Sequence, residues 1–200
     1  NNPENAFLRL GYALRELKDY HNTTIILGAG CSLSSTSNDI STVGIMKSCL
    51  LEHNISINEI ESYTWEELYK KFIDIVWEGK AQKERQFLLK KKLDNTEPSE
   101  GHKYLRTLIE KGYIHNVITT NFDMLLEKAF NGLSYRKRVG YNDYKNIGQK
   151  PMFNLLKIHG DLEDGEFRFA PHELMKLPEN LCKDIVAKTS GLLLFLGYRG

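Results

Sequence analysis

NVITTNFDMLLEKAF, residues 116–130, changes character half-way along. After Asn116, the β-branched Val117, Ile118 and Thr119 read as a buried strand, whereas 124–130 place apolar residues at helical spacing. Between them stand Thr119, Thr120, Asn121, Phe122 and Asp123, four polar residues around one aromatic. A strand that passes at once into a helix is the repeating unit of a parallel sheet, and open sheets of that kind bind ligands at the carboxyl ends of their strands. Asp123 suits the N-cap of the helix that follows. The cap explains one residue; threonines are also ordinary strand residues, and Asn121 is left without a structural reason.

The same alternation runs outward in both directions. TTIILGAGCS (23–32) is a short apolar strand feeding a Gly-Ala-Gly turn, NLLKIHGD (154–161) is another ending in a polar turn, and LLLFLG (192–197) is a third. YRKRV (135–139) reads as a further strand, and GEFRFAP (165–171) as a hairpin. Helices are expected from Phe7, Leu10, Leu14 and Leu17, over 43–52, and around 181–187. In TWEELYKKFIDIVWEG (64–79), Trp65, Leu68, Phe72, Ile75 and Val76 share one face, with Glu66 and Lys70 as an i,i+4 ion pair. A further helix follows in 83–95, and Tyr104, Leu105, Leu108 and Ile109 form the stripe of another, capped by Gly112. The polar stretch 32–41 has no periodicity and reads as a loop. The fold class is therefore α/β, a mostly parallel sheet with helices on both faces, with 55–97 as a helical insertion in a single domain spanning 1–200.

Three strand tips carry the candidate chemistry. Gly28, Ala29 and Gly30 with Ser32 let backbone N–H groups approach a phosphate, and serve equally as an ordinary tight turn; the full G-x-G-x-x-G is absent because residue 33 is leucine. His159 follows an apolar strand and precedes Gly160-Asp161, where a neutral imidazole can act as a general base. The chain has five other histidines, at 21, 53, 102, 115 and 172, without ligand spacing. The basic and aromatic run SYRKRVGYNDYKN (134–146) reads as an edge strand with solvated Lys and Arg rather than a nucleic-acid surface.

Composition narrows the classes. Two hundred residues with 41% hydrophobic and 26% charged content suffice for one domain with a core. With 27 basic against 26 acidic residues, no overall charge argues for nucleic acid or a membrane surface. Cys31, Cys49 and Cys182 lack the spacing of a disulfide framework or a zinc site, so a reducing cytoplasm and no metal are expected. No apolar run approaches the roughly 18 residues of a membrane span.

Taken in order, ILGAGCS, VITTNFDMLLE, LLKIHGDL and LLLFLGYRG resemble the sirtuin-like NAD-processing domain, and more closely its prokaryotic NAD-hydrolase branch of antiviral defence proteins. The resemblance runs over 24–200. It implies a Rossmann-like sheet with a helical module and NAD+ as substrate. It implies that Gly28, Ala29, Gly30 and Ser32 hold the pyrophosphate, that Thr120, Asn121 and Asp123 line the nicotinamide-ribose pocket, that Gly197 opens the adenosine-binding loop, and that Asn121 and His159 are catalytic. Two departures matter. Protein deacylases of the family carry a four-cysteine zinc module after the catalytic His-Gly, and DLEDGEFRFAPHE (161–173) has no cysteine; their Gly-Ile-Pro-Asp-Phe-Arg element survives here only as Gly44-Ile45. The expected activity is thus an NAD+ glycohydrolase acting as an NAD-depleting antiphage effector, with a deacylase or a silent NAD- or ADP-ribose-binding module as alternatives. The resemblance also implies a domain cut from a longer protein, acting as a homo-oligomer or with a fused or separate sensor domain.

Overall fold

The computed structural model describes residues 3–17, 22–32, 41–93, 95–164, 167–169, 173 and 177–197. Six strands form one sheet: β1 (Thr23–Leu27), β2 (Asn116–Thr119), β3 (Tyr135–Val139), β4 (Lys145–Ile147), β5 (Phe153–Lys157) and β6 (Leu192–Leu196). Their order is β4-β3-β5-β2-β1-β6, and every pairing is parallel except that of β3 with β4. The fold is α/β and Rossmann-like. All of β2 and most of β1 and β5 are buried, as a parallel sheet covered on both faces requires.

The helices are α1 (Pro3–Leu17), α2 (Thr42–Glu52), α3 (Ile57–Ser62), α4 (Trp65–Phe72), α5 (Gln82–Leu93), α6 (Glu100–Glu110), α7 (Leu125–Ala129) and α8 (Glu179–Lys188). One core lies on the sheet, where Leu14, Leu105, Ile109 and Phe130 pack on Ile25, Val117 and Leu155. A second belongs to the helical block α2–α5, where Met46, Leu50, Phe72, Val76 and Trp77 are shut away from solvent and meet Leu162 and Phe167 of the segment after β5. Burial on that scale stabilises by roughly 1.5–3 kcal/mol per large apolar side chain.

Local chemistry sets the ends of α4. Thr64 and Glu67 form a reciprocal capping box, the Thr64 N–H donating to Glu67 Oε2 at 2.8 Å and the Glu67 N–H to Thr64 Oγ1 at 3.3 Å. The helix then widens into a π-turn over Ile73–Trp77. The looser winding rotates Trp77 into the core, a position that strict 3.6-residue spacing does not give it. Trp65, expected on the buried face, is instead 55% exposed. The Glu66–Lys70 pair is not among the ion pairs of the described residues; the carboxylate that the helix start uses is Glu67. On α1, Leu14 is buried but Phe7 is exposed; on α6, Leu105 and Ile109 are buried and Tyr104 is exposed. Gly112 ends α6 at φ 72°, its N–H donating to the Ile109 carbonyl, as a helix C-terminus favours.

The run 134–146 differs from the solvated edge strand expected of it. The edge is β4, which the sequence reading missed; β3 lies one place in, and Lys137 and Arg138 are both buried. They are tolerated because each is paired: Lys137 with Glu127 and Asp161, Arg138 with Asp184 at 3.2 Å. Of the hairpin expected in 165–171, only 167–169 are described; they form no strand, and the Arg168 N–H donates to the His159 carbonyl at 2.9 Å. The loop expected over 32–41 lies mostly outside the described residues, as do residues 198–200 at the end of the adenosine-loop motif.

Candidate functional site

Adjacency in the sheet assembles the site. β1, β2 and β5 are neighbours in the order β5-β2-β1, so the turns that follow them share one edge. Register sharpens this: Leu27 pairs with Thr119, and Thr119 with Lys157, which puts the three carboxyl ends level. Above them, facing the helical block, opens a cavity of about 390 Å³ lined by Ala29, Thr120, Asn121 and His159 from the sheet side, with Phe122, Arg168 and Phe169. The helices contribute Thr42, Trp65 and Tyr69. A smaller recess of about 30 Å³ adjoins it, reached by Ala29, Ser32, Asn121 and Asp123.

Asn121 is 8% exposed and held from several sides. Its N–H donates to Thr119 Oγ1 at 2.9 Å, and Thr119 Oγ1 donates to the Leu27 carbonyl at 2.9 Å. Its Nδ2 donates to the Gly28 carbonyl at 3.2 Å and reaches Ser32 Oγ at 3.4 Å. Both amide hydrogens are thereby used on the β1 turn, which leaves Oδ1, an acceptor, as the atom with which Asn121 can meet a ligand. Ser32 in turn donates to Asp123 Oδ2 at 3.1 Å, and Asp123 Oδ1 accepts the Leu125 N–H at 3.0 Å. The N-cap of α7 is Met124 rather than Asp123, and it makes no side-chain cap. Asp123, one residue earlier, closes a turn onto the Leu125 N–H instead and also anchors the serine that positions Asn121.

His159 sits opposite. Its ring has no hydrogen-bond partner among the described residues, although burial holds its pKa below the usual 6.5. An imidazole kept neutral, half-buried and facing a cavity is able to accept a proton at neutral pH.

The glycines play a different part from the wall. The Gly28 N–H donates to the Leu196 carbonyl and the Gly30 N–H to the Gly197 carbonyl, both at 2.9 Å. A Cβ on Gly30 would stand 2.8 Å from the Gly197 oxygen and 2.9 Å from its Cα; Gly197 itself has φ 72°. These glycines let β1 and β6 close together, and of the 28–30 turn only Ala29 reaches the cavity. Burial, followed by Asp123, pushes the neighbouring Cys31 thiol up, away from thiolate reactivity.

The aromatic wall was not singled out from the sequence. Trp65 stacks on Tyr69 at 5.2 Å and 8°, Tyr69 on Phe169 at 5.8 Å, and Phe122 meets Phe167 edge-on at 4.9 Å. Tyr69 also donates to the Phe169 carbonyl at 3.0 Å, and burial, then Glu173, pushes its pKa up to about 12. The Arg168 guanidinium lies over the Tyr141 ring, 3.4 Å from its centroid. The only sequence cue was the Phe-Arg-Phe alternation at 167–169, whose partner helix is a hundred residues away.

Residues 115–200 match the family model of the SIR2-like domain. The SIR2-like segment thus begins at the foot of β2 and carries Asn121, Asp123, His159 and Gly197. Among solved structures the chain is similar to Sir2 bound to an acetylated peptide, at 21% identity and a TM-score of 0.31, over 75% of this chain and 46% of that one. It is also similar to a histidine-to-tyrosine Sir2 mutant with a p53 peptide and NAD (19%, TM-score 0.40, 92% of this chain and 75% of that one). A histidine-to-alanine Sir2 mutant with a deacetylated p53 peptide and 3'-O-acetyl ADP-ribose stands alongside (18%, TM-score 0.40, 92% and 76%). No curated protein matches the chain. Among the described residues, no cluster of His, Cys, Asp and Glu has the arrangement of a metal site, and no helix is long and apolar enough to cross a membrane.

Proposed function

We propose that the chain is an NAD+ glycohydrolase that cleaves NAD+ and water to nicotinamide, ADP-ribose and a proton. The observation that carries this reading is the meeting of Asn121 and His159, from adjacent strand ends, on one cavity inside the SIR2-like segment. The diphosphate is assigned to the turn 28–32, where Ala29 and Ser32 reach the cavity and its recess, with Gly28, Gly30 and Gly197 setting the close packing behind them. Thr120, Asn121 and Asp123 are assigned to the nicotinamide ribose.

Breaking the bond between the ribose and nicotinamide passes through an oxocarbenium-like centre, and nicotinamide leaves neutral from a cationic ring, so no strong acid is required. Asn121 Oδ1 accepts from the ribose hydroxyls or from the attacking water and fixes their orientation. His159 takes the proton that water loses as its oxygen bonds to the anomeric carbon. No step in this scheme calls for a metal. We assign to the activity the depletion of NAD in antiviral defence, by a domain of a longer protein that works as a homo-oligomer or under a sensor domain.

The test is to incubate the protein with NAD+ and follow free nicotinamide and ADP-ribose, with and without an acetylated peptide. Hydrolysis independent of peptide supports the proposal. Nicotinamide release that requires the peptide makes the protein a deacylase, and binding without release makes it a silent module.

A further inference from the structure

Beneath the cavity lies a group of buried charges that the proposed chemistry does not use. Lys157 ends β5 with no exposed side-chain surface, at a position where the strand pattern calls for an apolar residue. Its Nζ donates to the Asp123 carbonyl at 2.5 Å, reaches Glu127 Oε1 at 3.0 Å, and lies 3.8 Å from Asp161 Oδ2. An ammonium has three donors in tetrahedral array, and here three oxygens from three places in the chain surround it. Lys137 of β3 closes the figure, 3.0 Å from Glu127 Oε1 and 2.6 Å from Asp161 Oδ2. Asp161, fully buried, also accepts the N–H groups of Glu163 and Asp164 with its other oxygen.

The placement of these contacts is telling. Asp123 lies two residues past Asn121, and Asp161 two residues past His159. The two site turns otherwise meet through the β2–β5 ladder, which ends where the Ile158 N–H donates to the Thr119 carbonyl. Beyond that bond the buried ammonium bridges the turns, from β5 to the Asp123 carbonyl and Glu127. Apolar residues would fill the same volume without the desolvation penalty of two cations and two carboxylates. What they would not supply is direction: an ion quartet has one low-energy arrangement, and it fixes both turns at once.

We propose that Lys157 is a positioning residue, fastening the turn that carries Asn121 to the turn that carries His159, with Glu127, Asp161 and Lys137 holding its charge. The kinetic part of this inference rests on the NAD+ glycohydrolase reading; the structural part does not. In the whole chain, Lys157→Met keeps the volume and removes the tether, leaving one cation against two buried carboxylates. Lys157→Met/Glu127→Gln removes the same tether but leaves Lys137 and Asp161 as a matched pair, and carries the test if the single variant does not fold. Hydrogen exchange followed by segment is expected to speed up by about tenfold in 120–126 and 158–164 while β1 and β2 keep the parent's protection. NAD+ turnover is expected to fall by about a hundredfold with KM nearly unchanged, because misplacement of the reacting groups costs rate more than affinity. Exchange unchanged in both turns, or raised equally across the sheet, overturns the proposal and leaves Lys157 a general structural ion. If the parent releases no nicotinamide from NAD+, the functional reading fails, and the exchange pattern alone decides whether Lys157 ties the turns together.

Discussion

Two histidines in this molecule share a residue type and a direction of pKa shift, and differ in almost everything else. His102 lies in the first turn of α6, 4% exposed, where its Nδ1 accepts the Ser99 N–H at 3.2 Å and lies 2.8 Å from Ser99 Oγ. It takes the part that Glu or Gln plays in a capping box. His159 follows β5, is only half-buried, and presents to the cavity a ring without a hydrogen-bond partner among the described residues. Burial lowers the pKa of both. A depressed pKa therefore says that an imidazole is desolvated, and whether the ring is already engaged says what it is for.

The sharpest way to break the comparison is to remove each ring. His159→Ala is expected to cut NAD+ turnover by about a hundredfold or more with a smaller effect on NAD+ affinity, the scale of a lost general base. Asn121→Ala is expected to do the same, with some added instability because the Gly28 carbonyl loses one of its two donors, the Cys31 N–H remaining. Near-normal turnover in a folded His159→Ala protein would make His159 as structural as His102.

Next in size is Gly30→Ala. Its Cβ would meet the Gly197 backbone, which cannot swing aside as a side chain would, so a loss of about 1–3 kcal/mol in chemical denaturation is expected. The larger Gly30→Val should also abolish NAD+ binding, read by calorimetry, since the turn would be forced off β6. A fully stable Gly30→Ala protein would show that the close approach of β1 and β6 is dispensable.

His102→Ala is expected to cost about 1 kcal/mol of stability, the usual value of a lost N-terminal cap, and to leave turnover at the parent level. A large loss of turnover with stability intact would erase the distinction between the two rings.

The smallest effect is in pH. Turnover should rise with pH along a single-base limb whose midpoint lies below 6.5, because His159 must be neutral to accept a proton and burial favours that form. Stability follows the same sign. Both histidines bind protons more weakly folded than unfolded, so their contribution is complete above pH 6.5 and is lost as the pH falls toward their folded values. His102→Ala should flatten part of the stability curve and leave the turnover limb in place.

Much of the site was legible because it is local. Residues 116–130 announce a strand, a polar tip and a helix, and 23–32 and 154–161 repeat the pattern; a parallel sheet then places all three tips on one edge. What local patterns cannot carry is the partner across space. Lys137 and Arg138 look like solvated edge charges until Glu127, Asp161 and Asp184 come from other elements to pair with them. Trp65 looks like a core residue until the fold sets it in the cavity wall, stacked on Tyr69, while the π-turn at Ile73–Trp77 turns Trp77 inward.

The amino-acid sequence alone determined most of the helices and strands, the mostly parallel sheet, and the candidacy of Asn121, Asp123 and His159, because strand propensity and periodicity act within a few residues, whereas the edge strand β4 and the π-turn escaped it. Tertiary structure decided which polar groups are engaged and which face the cavity: that Asn121 gives its amide hydrogens to Gly28 and Ser32, that His102 is bound while the His159 ring has no hydrogen-bond partner among the described residues, and that Lys157 lies buried between two turns. Those outcomes depend on distances between segments tens of residues apart, which the chain acquires only when the sheet and the helical block close on each other.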